Sequence, residues 1–137
     1  MKTCMANAIK TICRDLGLPS GDAYTQDWIY ELPEKLRDYE SLQRYVAAYS
    51  TTSYGETEKS LLMQLMLDVT NDLLQRDKTI EKQAWGSLIG LLRANPKLHR
   101  EQLEYWALPG EPPEAVFPLT PLVRDLVKEL FGSDLSK

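Results

Sequence analysis

The sequence predicts an all-α fold, an irregular antiparallel bundle of about six helices packed around a central helix over residues 54–75. Three observations lead there. Apolar residues recur at helical spacing through most of the chain, no alternating run with hairpin turn chemistry calls for a strand, and Gly17, Pro96 and Gly132 stand at the ends of periodic segments. With 137 residues, 43% hydrophobic and 26% charged, the chain has the make-up of an ordinary globular protein. It is long enough to bury a core without disulfides or a structural metal. One helical domain over 1–137 is expected.

The elements follow in order. Met5, Ile9, Ile12 and Leu16 line one face of a first helix from about Thr3 to Leu16, and Gly17 supplies a left-handed stop. Pro19, Ser20 and Gly21 make a turn. A second helical stretch starts near Thr25 with Trp28, Ile29 and Leu32, and Pro33 either kinks it or begins a new helix. From there Leu36, Tyr39, Leu42, Val46 and Tyr49 share a face until Ser50, Thr51, Thr52 and Ser53 interrupt.

The segment from Tyr54 to Gln75 is apolar around more than half its circumference, through Leu61, Leu62, Met63, Leu65, Met66, Leu67, Val69, Leu73 and Leu74. Its narrow polar strip holds Ser60, Gln64, Asp68, Asn71, Asp72 and Gln75, so neighbours are expected on most sides. A further helix spans about Lys78 to Ala94 with Ile80, Ala84, Trp85, Leu88, Ile89, Leu91 and Leu92 inward, and a shorter one follows from Pro96 to Trp106. Residues 107–119 carry Pro109, Gly110, Pro112, Pro113 and Pro118 and read as an ordered loop pinned by Val116 and Phe117. Thr120 caps a last helix, with Pro121 at its first position, Leu122, Val123, Leu126, Val127, Leu130 and Phe131 inward, and Gly132 beyond its end. No repeat at a solenoid period is evident. A loosely HEAT-like stack of helix pairs is the alternative to the bundle.

Several function classes are disfavoured. A formal charge of −4 opposes phosphate backbones and anionic lipid, so neither nucleic acid nor a membrane surface is an expected partner. The amino-terminal stretch, broken by Thr3, Asn7, Lys10, Thr11 and Arg14, does not form a secretory apolar core, and no run is long enough to span a bilayer. The expected address is the cytoplasm. Cys4 and Cys13, nine residues apart, fall on opposite sides of one helix about 13 Å apart along it and do not bridge each other. Both are expected as reduced thiols, Cys13 at the edge of the packed face and Cys4 nearer solvent. One histidine and two cysteines are too few for a zinc finger.

The remaining constellations are weak. Asp68 and Asp72 share a helix face at a spacing suited to a metal or a proton transfer, but the paired Glu and His of a helical dimetal site are missing, so solvated or partner-facing carboxylates are expected. His99 is read as a surface histidine near a helix end; as a general base it would need Cys4 or Cys13 as nucleophile, and neither carries a family signature. Gly86 and Gly90 mark close approach by a neighbouring helix or by the proline-rich loop. No phosphate-binding loop, dinucleotide fingerprint, nucleophile elbow or zinc-protease helix is present. Neither catalysis nor a cofactor is expected.

The distinctive feature is where charge and tyrosine fall. Residues 15–72 hold eleven Asp or Glu against four Lys or Arg, and six of the seven tyrosines (Tyr24, Tyr30, Tyr39, Tyr45, Tyr49, Tyr54) lie in the same stretch. Tyrosine is favoured at interface hot spots and acidic patches steer basic partners; equally, these rings fill the core, as spacing suggests for Tyr39 and Tyr49. An acidic helical body with clustered tyrosines resembles the general design of bacterial immunity proteins, small inhibitors that neutralise a toxin, often a nuclease, by covering a basic surface. The resemblance lies in overall make-up and rests on no signature motif. It implies a basic protein partner, with Glu31, Glu34, Asp38 and Glu40 as carboxylate contacts and Tyr30, Tyr45 and Tyr54 as aromatic anchors. Two other readings stand beside it: a helical adaptor or self-associating structural protein, and a small enzyme without a familiar motif. Oligomeric state is open.

Overall fold

A computed structural model of the chain describes the backbone of residues 2–6 and the whole of residues 7–19, 29, 32–50, 54–108, 111–112 and 116–132. Among the described residues there are six α-helices and two short 3-10 turns, with no strand. The helices are α1 (Lys2–Leu16), α2 (Tyr39–Tyr49), α3 (Glu56–Arg76), α4 (Glu81–Ala94), α5 (Arg100–Ala107) and α6 (Thr120–Phe131). The all-α class is therefore as the periodicity predicts. The expected helix beginning near Thr25, Tyr24 and Trp28 included, falls outside the described residues apart from Ile29 and Leu32, which are both buried. The chain divides into two compact units, Met1–Val69 and Thr70–Lys137.

In the first unit, α1 buries Ala8, Ile9, Ile12 and Cys13. It ends as Gly17 turns to φ +69° and the Leu18 amide donates to the Cys13 carbonyl at 2.8 Å, a closure that satisfies an otherwise orphaned carbonyl and needs the left-handed glycine. Cys13 lies further inside than its expected place at the edge of the packed face, only 3% exposed, and burial pushes its thiol up to about 11. The helix read from Pro33 onward starts later than the pattern implies. Glu34–Leu36 form a 3-10 turn, and α2 begins at Tyr39 because the Asp38 carboxylate accepts from the Ser41 amide at 2.8 Å and caps it. The apolar face of α2 is rotated from the expected one: Ser41, Leu42, Tyr45 and Tyr49 are buried, while Tyr39 and Val46 are partly exposed.

The helix α3 is buried along Leu61, Leu62, Met63, Leu65, Met66, Leu67 and Val69, and past the unit boundary at Thr70, Asn71, Leu73 and Leu74. Its amino-terminal end is closed by Glu58, whose side chain accepts from the Gly55 amide at 2.9 Å. The polar strip is largely as expected, with Ser60, Gln64, Asp68 and Asp72 partly exposed and Gln75 exposed. Asn71 is the exception. It is 6% exposed, and its Oδ1 accepts from the Leu119 amide at 3.1 Å.

In the second unit, α4 starts at Glu81 rather than Lys78, because Asp77 caps a separate 3-10 turn at Lys78–Ile80 by accepting from the Thr79 amide. Ala84, Leu88 and Leu92 are its buried residues, whereas Trp85, Ile89 and Leu91 are only partly covered. Gly86 and Gly90 are exposed, and no described atom comes within 4 Å of where a Cβ would stand. The expected close approach is therefore not made by a described residue of another segment, and residues 109–110 and 113–115 of the proline-rich loop lie outside the described residues.

The helix α5 buries Leu103, Trp106 and Ala107, and its carboxyl end is closed by Leu108 in the left-handed region, φ 45°. Arg124 of α6 sits at that end and donates to the carbonyls of Ala107 (2.6 Å), Leu108 (2.7 Å) and Glu111 (3.0 Å), placing a cation where the helix dipole is negative. The segment leading into α6 is held by Phe117, whose ring meets Trp106 edge-on at 5.0 Å, and by fully buried Leu119. Thr120 is the first residue of α6 rather than its cap, with its hydroxyl accepting from the Phe117 amide at 3.2 Å and donating to the Trp106 carbonyl at 2.8 Å. The helix then buries Val123, Leu126 and Val127 and ends at Gly132, φ +75°.

Candidate partner-binding site

Of the seven residues expected to meet a partner, Tyr30 and Glu31 lie outside the described residues. The other five do not form one outward surface. Glu34 and Glu40 are exposed, Asp38 is half-buried as the cap of α2, and Tyr45 and Tyr54 are buried at 0% and 7% exposure.

The two tyrosines are therefore corrected from surface anchors to interior residues, and each spends its hydroxyl inside the fold. Tyr45 donates to the Leu36 carbonyl at 2.5 Å. Burial is the main reason its phenol is held above the usual range, so it remains a donor at neutral pH. Tyr54 donates to the Asp15 carboxylate at 2.8 Å. Burial, the hydrogen bond to Asp15 and that residue's charge together push the Tyr54 phenol up to about 12. A sequence signal for Tyr45 does exist: with Leu42 and Tyr49 it follows the i, i+3, i+7 pattern of a core stripe as well as Val46 does.

What the structure brings together instead is a tightly tied turn over residues 33–41. Its backbone closes on itself through the Leu36 amide to the Pro33 carbonyl (2.9 Å) and the Arg37 amide to the Glu34 carbonyl (2.8 Å). Three side chains hold it from within. Tyr45 takes the Leu36 carbonyl, Ser41 Oγ donates to the Lys35 carbonyl at 3.2 Å, and Arg37 Nη1 donates to the Ile29 carbonyl at 2.7 Å. The other guanidinium nitrogen of Arg37 donates to Asp68 of α3, an ion pair with side-chain exposures of 10% and 14%.

This pairing corrects the reading of Asp68 as a solvated or partner-facing carboxylate. It also decides the charge of the turn. The one arginine among residues 33–41 is drawn inward, leaving Glu34, Lys35 and Glu40 exposed, with the half-buried Asp38 carboxylate between them. Arg44, which is also exposed, donates to the Leu16 carbonyl at 2.5 Å.

His99 is corrected as well. It is fully buried rather than superficial, and its Nδ1 is 2.9 Å from Gln102 Oε1. Among the described residues no group of three or more His, Cys, Asp or Glu is arranged to hold a metal ion, and no helix is long and apolar enough to cross a membrane. Comparison of the chain with models of protein families, with curated proteins and with solved structures finds no match.

Proposed function

We propose that the chain acts by binding a basic protein rather than by catalysis, as an immunity-type inhibitor that covers a cationic surface of a toxin or effector. The observation that carries this reading is the opposed placement of charge in the 33–41 turn. Glu34 and Glu40 project to solvent, against a single exposed cation at Lys35, from a backbone whose Arg37 is buried against Asp68. A turn tied by Arg37, Ser41 and Tyr45 has little conformational freedom left to lose on association, which lowers the entropic cost of binding. Exposed carboxylates in turn raise the encounter rate with a cationic partner. The aromatic anchors originally expected form no part of the proposal, since Tyr45 and Tyr54 hold the interior.

The test is to capture partners from the native host with the wild-type chain and with the double variant Glu34→Lys, Glu40→Lys, both changes being at exposed positions that leave the Asp38 cap itself in place. The proposal expects a basic protein whose association with the wild type slows at least tenfold between about 0.05 and 0.5 M salt, as screening shortens the reach of exposed charges. It expects the double variant to associate at least tenfold more slowly at low salt. An acidic partner, or one binding both chains at equal rates with no salt dependence, would instead favour an apolar helix interface of the adaptor kind.

A further inference from the structure

We draw no further inference here: the strongest candidate, the exposed ring of Tyr105 beside Glu101 on the outer face of α5, is a single aromatic side chain on a helix surface, and nothing in the structure shows what covers it.

Discussion

Arg37 and Asp68, thirty-one residues apart in the sequence, meet with nearly all of both side chains removed from water, and the same guanidinium also holds the Ile29 carbonyl. Three segments of the first unit, the one bearing Ile29, the 33–41 turn and α3, are thereby joined at one planar group. Removing one partner of such a pair leaves a buried charge without its counter-ion, which costs much more than the pair contributes in net terms. Asp68→Ala is therefore expected to lower stability by about 3 kcal/mol. Replacing both residues by apolar ones, Arg37→Met with Asp68→Leu, is expected to recover more than half of that loss. Urea denaturation of the three variants checks this; a double variant no more stable than Asp68→Ala would show that the hydrogen bond to Ile29 is the larger contribution.

Thr70 presents the opposite case. Its hydroxyl is fully buried in α3 without a hydrogen-bond partner among the described residues. An unsatisfied buried hydroxyl has given up its water and received nothing in exchange. Thr70→Val, which keeps the shape and drops the hydroxyl, is expected to raise stability by about 1 kcal/mol, while Thr70→Ala, which opens a cavity, is not. A fall in the denaturation midpoint for the valine variant would mean that the hydroxyl is satisfied in solution.

Gly86 and Gly90 stand in the interior of α4 with open space around the position of a missing Cβ, and neither has a positive φ. Each weakens the helix through the freedom of the unfolded chain. Gly86→Ala and Gly90→Ala are expected to stabilise the protein by roughly 0.5–1 kcal/mol each, and the two gains should add to within about 0.5 kcal/mol. Thermal unfolding of the single and double variants measures this. A destabilised variant would indicate that a segment outside the described residues packs there.

Alkaline pH should unfold the protein. Cys13, Tyr45 and Tyr54 are all weak acids whose ionisation is suppressed in the fold, the thiol up to about 11 from an ordinary 9.0 and the Tyr54 phenol up to about 12 from 10.0, while burial raises the Tyr45 phenol too. In the unfolded chain these groups lose their protons first. The unfolded state therefore binds fewer protons than the folded one above pH 9, and stability falls as pH rises from about 9 to 12. Below about pH 8 all three are almost wholly protonated in both states and contribute almost no slope. Urea midpoints between pH 7 and 11 provide the check, with Tyr54→Phe expected to flatten the part of the decline above pH 10. At pH 8 the Cys13 thiol, mapped by mass spectrometry, is expected to resist alkylation until denaturant is added. Labelling at equal rates in native and unfolded protein would contradict its burial.

The helical class and the approximate extents of α1, α3 and α6 are legible in the sequence because they depend on local terms: the 3.6-residue recurrence of Leu, Ile, Val and Met, and the stop signals at Gly17 and Gly132. Helix starts are less so. Asp38 and Asp77 each cut a short turn from the helix that periodicity alone would extend, and a cap is decided by a single hydrogen bond. What tertiary structure alone decides is the direction in which polar and amphipathic side chains face. Tyr45 and Tyr54 have both an apolar ring and a polar tip, so they suit a surface or a core with a waiting acceptor, and only packing supplies the Leu36 carbonyl and the Asp15 carboxylate. In the same way the local pattern leaves Arg37, Asp68, Asn71 and His99 as surface residues. Burying them is costly unless a partner lies within reach; Gln102, three residues on, serves His99, whereas Asp68 for Arg37 and the Leu119 amide for Asn71 come from parts of the chain that folding alone brings near.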